Sequence, residues 1–525
     1  MQYQKLHTPL IIFFIFNLYV ILFFGYYHDD WGFFIFNDQS FFDHSKDIWQ
    51  TEGVLLHRYI NVPFYILGSL LPNTKLLYTF ISLIGLIIYF QIYDLLKNFL
   101  KKNYILNYHN SFGLSLLIVC WYFFPFNIGG QFWLTNIHVK ISFFFLLLHF
   151  QFLIRHKFLY SMISLFLSLS SYEMFYLLHF PLSILFYKLN IIHKSVLKKY
   201  LVYSALIQIY FILDRYFFLP SGARPNIGEL NFEDLIFKCL ENIIRFFWSI
   251  STSYDSFMNI YWQIIVFSPI IYFLFKLQKT KIFFGIVFLL LISLILNSVI
   301  ITGGKYGYYG QGIFSKTFYY ASFFIFLFLL SIFLFLKNNF DKNIFLAYFF
   351  IISFFGFYQE SKSWIKSWYI QQEIYKSDMI KDFPKDKKNL VIFFGPCRYN
   401  GVEIFYAPWD LNRAIKENMP GIKSRFVPIT NWELEIYTNK IDNNTWIGLH
   451  DRHYNFLIDD YDKIIFWDYF KKYKEVIIDK NKILLNQLEI NELKSYRSCD
   501  IETKKYAENK IDPIKYRKKL NDLLF

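Results

Sequence analysis

Residues 28–32 read HDDWG and follow directly on a long apolar run. Two adjacent carboxylates, Asp29 and Asp30, thus fall where a membrane helix would meet water, flanked by His28 and Trp31. Partial desolvation favours the protonated form of a carboxyl group. An acid so placed can serve as a general base once a substrate proton comes within hydrogen-bond reach. The stretch DIWQTEGVLLHRYINVPF (47–64) adds Glu52, His57 and Arg58. Other candidates lie far along the chain. Tyr172 and Glu173 stand in SSYEMF, and Lys305 and Lys316 in GGKYGYYGQGIFSKTFYY (303–320). Glycine permits close backbone approach to a ligand, and an ammonium is a compact charge for an anion. The plainer alternative for Asp29 and Asp30 is a solvated loop, and for Glu173 a satisfied polar group near a turn.

The elements that must position these residues are membrane helices. The chain has 525 residues, 55% hydrophobic and 18% charged, and apolar runs near the ~20 residues of a bilayer span recur through the first 360. That excludes the soluble classes. The N-terminal run (9–27) is too long for a signal-peptide core and lacks a small-residue cleavage site, so it reads as a retained first span. Candidate spans are 9–27, 75–96, 112–128, 137–154, 158–171, 174–188, 200–219, 259–275, 282–302, 318–336 and 343–359, about eleven helices in all. Basic clusters follow every second one: Lys97, Lys101 and Lys102; Arg155 and Lys157; Lys188, Lys194, Lys198 and Lys199; Lys276, Lys279 and Lys281; Lys337 and Lys342. The positive-inside rule makes their side cytoplasmic. The net charge of +14 is then a topology signal, and nucleic acid is not the expected partner. The loops 28–74, 220–258 and 303–317 and everything after 360 fall on the opposite face. Segments 61–72 and 232–250 read as interfacial helices there.

After residue 360 the composition changes. A polar linker (376–388) precedes short β-like runs at 389–395, 462–470 and 474–480. The expectation is a transmembrane domain over 1–359 and a small extracytoplasmic α/β domain over 360–525, with a charged last segment that reads as helical. Cys397 and Cys499 are the two cysteines of that domain; an oxidising exterior allows a bridge, and two free thiols are the equal alternative. In the spans, Lys140 reads as a snorkelling lysine and Asp214 as a local ion pair with Arg215. The triplet NNT (443–445) matches a glycosylation acceptor, a pattern frequent by chance. No phosphate-binding loop, dinucleotide fingerprint, zinc spacing or nucleophile elbow is present.

The arrangement resembles the GT-C superfamily of polytopic membrane glycosyltransferases. The resemblance rests on HDDWGFF after the first span, on WQTEGVLLHR, on SSYEMF, and on the topology over 1–359. Members carry a catalytic Asp in the first outer loop, followed by an interfacial helix. Where bacterial members place Arg directly after EG, this chain has Val54, and the basic residue arrives as Arg58. The resemblance implies an inverting transfer of sugar from a polyprenyl-phosphate donor to a hydroxyl on a glycan or lipid acceptor. It places the chain in a bacterial inner membrane, in cell-envelope polysaccharide synthesis. Asp29 or Asp30 would be the base; Trp31, Glu52, Arg58, Tyr172, Glu173, Lys305 and Lys316 would bind substrate. A lipid phosphate leaves as a stable anion and needs little acid help, unlike the alkoxide of a glycosidase. No cofactor is expected; a divalent ion on the acid pair and Glu173 stays open. The rival readings are a flippase for lipid-linked saccharide and an envelope glycan polymerase or ligase.

Overall fold

The computed structural model describes residues 7–479 apart from 28, 36–39, 72, 103–107, 173–178, 189–191, 218–235, 244–259, 278–279, 304–318, 401, 406–407, 429–444, 448–454 and 458–459. The chain forms two compact units. The first comprises residues 1–23 and 42–361, the second residues 24–41 and 362–525.

The chain is mostly helical. The helices are α1 (His7–Phe23), α2 (Asp30–Phe34), α3 (Phe41–Ile48), α4 (Val62–Ser69), α5 (Thr74–Lys102), α6 (Tyr108–Tyr122), α7 (Ile128–Phe132), α8 (Ile137–Ile154) and α9 (Phe158–Ser171). They continue with α10 (His179–Lys188), α11 (Lys194–Phe217), α12 (Ile260–Phe275), α13 (Thr280–Gly303), α14 (Tyr319–Phe335), α15 (Asn339–Tyr375), α16 (Asp378–Lys381) and α17 (Pro408–Asn418).

A helix occurs at each of the eleven expected span positions, but eleven crossings are not what the helices show. Among the described residues, four are long and apolar enough to cross a membrane: Thr74–Asn98, Leu134–Ile154, Lys194–Asp214 and Asn339–Tyr375. Four more, Thr8–Phe23, Phe158–Ser171, Phe283–Val299 and Ser322–Phe335, are apolar but shorter. The reason is length. At ~1.5 Å per residue, the 17 residues of α1 fall short of a hydrocarbon core of ~30 Å. The 37 residues of α15 exceed it, at about 55 Å.

The first unit carries an apolar exterior. On α11, Val202, Leu206, Ile209 and Leu213 are exposed while Tyr200, Ser204 and Gln208 are buried. Apolar residues at helical spacing on the outside, with hydroxyls and an amide inside, suit lipid and not water. This is a helical membrane protein.

Five contacts fix which loops share an end of the first unit. Arg155 meets Asp94, near the end of α5, at 3.1 Å, and the His156 and His193 rings stack at 5.7 Å. Leu277 bridges to Leu336. Lys342 Nζ donates to Asn110 Oδ1 at 2.9 Å and lies over Phe333. The basic loops are thereby grouped at one end. At the other, α4 and the turns before it meet the start of α8 and the end of α9. Of the expected interfacial helices, 61–72 holds α4, and the described part of 232–250 is helical over 236–243, with Phe237 exposed and Cys239 buried.

The second unit is built on a four-stranded sheet in the order β4–β1–β7–β8, from β1 (Leu390–Phe394), β4 (Arg425–Pro428), β7 (Lys463–Asp468) and β8 (Tyr473–Asp479). β1 is parallel to both β4 and β7, and β8 closes antiparallel on β7. All five residues of β1 are buried, as a central parallel strand requires. Helix α17 makes the β1-to-β4 crossover. Small hairpins pair β2 (Arg398–Tyr399) with β3 (Val402–Glu403) and β5 (Thr445–Ile447) with β6 (Asn455–Leu457). The end of α15, from residue 362, and the loop 24–41 belong to this unit. Cys397 is disulfide-bonded, whereas Cys120 and Cys239 are free. Cys499, the two asparagines of NNT and the charged last segment lie outside the described residues, and Thr445 opens β5.

Candidate functional site

The acid pair belongs to the second unit, where a tight turn separates its two members. Asp30 N–H donates to the Tyr27 carbonyl at 3.0 Å, and Tyr27 N–H donates back to Asp30 Oδ2 at 2.9 Å. Asp30 is completely buried, while Asp29 is half-buried. Asp29 contributes its backbone carbonyl to the N–H groups of Gly32 and Phe33. The pair is therefore one structural acid that closes a turn and one acid that retains access to solvent. Burial, and after it the nearby Asp30 charge, pushes the Tyr26 phenol up from its ordinary value and keeps it neutral.

The turn is clamped by the end of α15. The Phe24 and Trp364 rings stack at 5.7 Å, and Tyr27 OH donates to the Trp364 carbonyl at 2.8 Å. Gly25 is required by close approach, because a Cβ there would enter the Trp368 indole. Trp31 donates from Nε1 to Gln371 Oε1 at 3.0 Å and packs on Tyr26, Trp368 and Tyr375. It is 1% exposed, where a substrate-binding role was expected. Its ring is consumed by the core of the unit, so it positions the acid loop instead. The outer side of α2 packs on α17, whose Arg413 donates to the Ile35 carbonyl.

The first unit holds a second polar cluster. Glu52, in the π-helical turn Trp49–Leu55, is buried; so are Arg58, Asn61 and Tyr172. The Arg58 guanidinium lies over the Tyr172 ring, 4.9 Å from its centre. The Tyr172 ring in turn meets His138 at 4.6 Å. Asn61 Nδ2 donates to Glu52 Oε2 at 3.3 Å and to the Ser171 carbonyl at 3.0 Å. Ser171 Oγ donates to Asn61 Oδ1 at 2.5 Å and lies 3.0 Å from the His138 carbonyl. Tyr65 OH donates to the Thr135 carbonyl at 2.5 Å and sits 2.9 Å from His138 Nδ1. The chain turns sharply at His57, which has φ 51°, and the His57 ring meets Asp214 at 3.2 Å.

Three residues spread over 120 positions, Glu52, Arg58 and Tyr172, are thus gathered into one network. Such a network presents a fixed guanidinium, the group suited to bidentate recognition of phosphate or carboxylate. Glu173, Lys305 and Lys316 lie outside the described residues. The sequence reading missed Asn61, Tyr65 and Ser171 as network members; the only signal was Ser171 beside Tyr172. Asp214 is paired with His57, whereas Arg215 was expected, because His57 comes from the far segment that the fold lays against α11. Among the described residues no group of three or more metal-ligating side chains occurs. No known protein family, no curated protein and no solved structure matches the chain.

Proposed function

We propose that the chain is a membrane glycosyltransferase of GT-C type. It moves a sugar from a polyprenyl-phosphate donor to an acceptor hydroxyl by direct displacement, with Asp29 as general base. The observation that carries the reading is the division of labour in the acid pair. Asp30 is buried and closes the turn, and Asp29 is the half-buried carboxylate on a loop packed among aromatic rings. Within the first unit, Arg58 lies over the Tyr172 ring and is a cation of the kind that suits a phosphate.

Two features support an extracytoplasmic second unit. The basic loops gather at one end of the first unit, the pattern of a cytoplasmic face. The disulfide at Cys397 fits an oxidising compartment. A bacterial plasma membrane is the setting this reading requires.

The test is transfer by purified protein in nanodiscs, supplied with defined polyprenyl-phosphate sugars and glycan acceptors and read by mass spectrometry. Asp29→Asn is expected to slow transfer by ~10²–10⁴-fold, the range of general-base catalysis, with the melting temperature unchanged. Transfer at the wild-type rate by that variant would remove Asp29 from the mechanism. Transport of a lipid-linked saccharide is the second reading. It is favoured by ionisable groups buried within helices of the first unit, such as His149 and His179, the latter bonded to Tyr200. Vesicle flux with no covalent product would select it.

A further inference from the structure

We propose that Lys140 is the cation of an anion site that takes a phosphate group, carried on a lipid or free. Sequence reading makes Lys140 a snorkelling lysine; the structure buries it, with 1% exposure. Its ammonium has three protons to donate. Among the described residues its hydrogen-bond partners are the Ile81 carbonyl and the Tyr122 hydroxyl, each at 3.5 Å, the outer limit of a hydrogen bond. Otherwise it faces two rings, Tyr122 and Phe132, with centres 5.7 and 5.6 Å away. Among the described residues no carboxylate comes within ion-pair range of it. A buried ammonium without a counter-charge is costly, and proteins pair such charges or bind a ligand to them.

The surroundings hold one further hydroxyl beside the ammonium. Tyr122 is buried and takes the Lys140 contact on its oxygen, which leaves its own proton for a ligand oxygen. Gly85 accommodates that hydroxyl: a Cβ there would collide with it. Lys140 and His138 both lie in the first turn of α8. The site is therefore at the same end of the first unit as the Arg58–Tyr172 network, about 3 Å along the axis and on the opposite side of the helix. A charge-assisted ammonium–phosphate bond would supply what the protein leaves out. The transferase reading enters only as the reason a lipid phosphate is the expected source.

The experiment uses the full chain in nanodiscs, with melting temperature and native mass spectrometry as readouts. The probes are undecaprenyl phosphate, inorganic phosphate and neutral undecaprenol. Undecaprenyl phosphate is expected to raise the melting temperature and undecaprenol to leave it unmoved. A shift with inorganic phosphate alone assigns the site to free anion and still supports it. Lys140→Met is expected to bind the phosphate lipid at least tenfold more weakly, and to melt, ligand-free, at or above wild type, because an uncompensated charge has gone. Equal binding by Lys140→Met, or no shift with either phosphate, overturns the proposal. Should Lys140→Met fail to insert, Lys140→Arg and Lys140→Gln decide: tenfold tighter binding by the arginine variant supports the site, and equal binding overturns it. A Lys140-dependent shift in a protein that transfers no sugar keeps the anion site and discards the transferase. Transfer without such a shift does the reverse.

Discussion

Both units bury a polar network, and the two differ in the share of side-chain-to-side-chain contacts. In the second unit the partners of the acid loop are mostly backbone atoms. Asp30 accepts from the Tyr27 N–H, Tyr27 OH donates to the Trp364 carbonyl, and Gln371 Nε2 donates to the Glu403 carbonyl. Indole rings fill the space between. In the first unit contacts from side chain to side chain, Asn61 to Glu52, Ser171 to Asn61 and Arg58 over Tyr172, stand beside the carbonyl bonds of Asn61, Ser171 and Tyr65. Backbone partners stay in place when a side chain changes, whereas side-chain partners move together. The acid loop should therefore tolerate change at its tip, Asp29, while the Arg58 network responds as a whole. A second contrast is covalent. The second unit contains a disulfide-bonded cysteine, and the described thiols of the first are free.

The largest effect is expected from that covalent difference. Peptide mapping without reductant should find Cys397 joined to Cys499, which would close a loop of about 100 residues. Cys397→Ser, or reduction, is then expected to destabilise the second unit by ~2–5 kcal/mol. The first unit should keep its proteolytic protection. Loss of protection in both at once would erase the covalent contrast.

The next largest effect tests the side-chain network. Asn61→Ala removes a group with three bonds inside a buried cluster. Each group left unsatisfied costs ~1–3 kcal/mol, so a loss of about 2–4 kcal/mol is expected. A double-mutant cycle with Ser171→Ala should return a coupling of ~0.5–3 kcal/mol. Strict additivity would mean that the two residues act independently, and the contrast with the acid loop would fail there.

The helices and the sheet were legible because periodicity and hydropathy are local properties. The expected runs 389–395, 462–470 and 474–480 hold β1, β7 and β8, and every expected span holds a helix. Crossing number was not legible, because it depends on how long each apolar helix is. The capture of residues 24–41 by the second unit was not legible either. Trp31, Gly25 and Tyr27 select Trp364, Trp368 and Gln371 through contacts more than 330 positions away, and nothing in the local sequence announces them. The acid pair was found because adjacent carboxylates at a span end are conspicuous. Which of them is fully buried and which half-buried was fixed by a backbone turn that composition does not encode.

A smaller effect probes the ring clamp of the acid loop. Gly25→Ala places a methyl group inside the Trp368 indole, and a rigid ring on a helix cannot swing aside as a flexible chain end can. Overpacking of this kind costs ~1–3 kcal/mol. Because the loop is held by packing, the expected readouts are a lower melting temperature and faster exchange at the Tyr27 amide. Gly285, where a Cβ meets nothing within 4 Å, is the control position in the first unit.

The smallest effect concerns the one ion pair at the edge of the Arg58 network. His57 and Asp214 meet at 3.2 Å with side chains 18% and 20% exposed, so water still screens them. Partly exposed pairs contribute ~0–1 kcal/mol, and Asp214→Asn keeps an acceptor for the ring; its expected cost is below ~1 kcal/mol. His57 also occupies the left-handed region at φ 51°, which costs a residue with a Cβ ~1–2 kcal/mol relative to glycine. His57→Gly loses the pair and relieves the backbone, so the two terms offset and the melting temperature should barely move. A loss above ~2 kcal/mol in either variant would show that the pair is part of the cooperative network. The side-chain-tied region would then extend to α11, and the boundary drawn around Glu52, Arg58, Asn61, Ser171 and Tyr172 would be too tight.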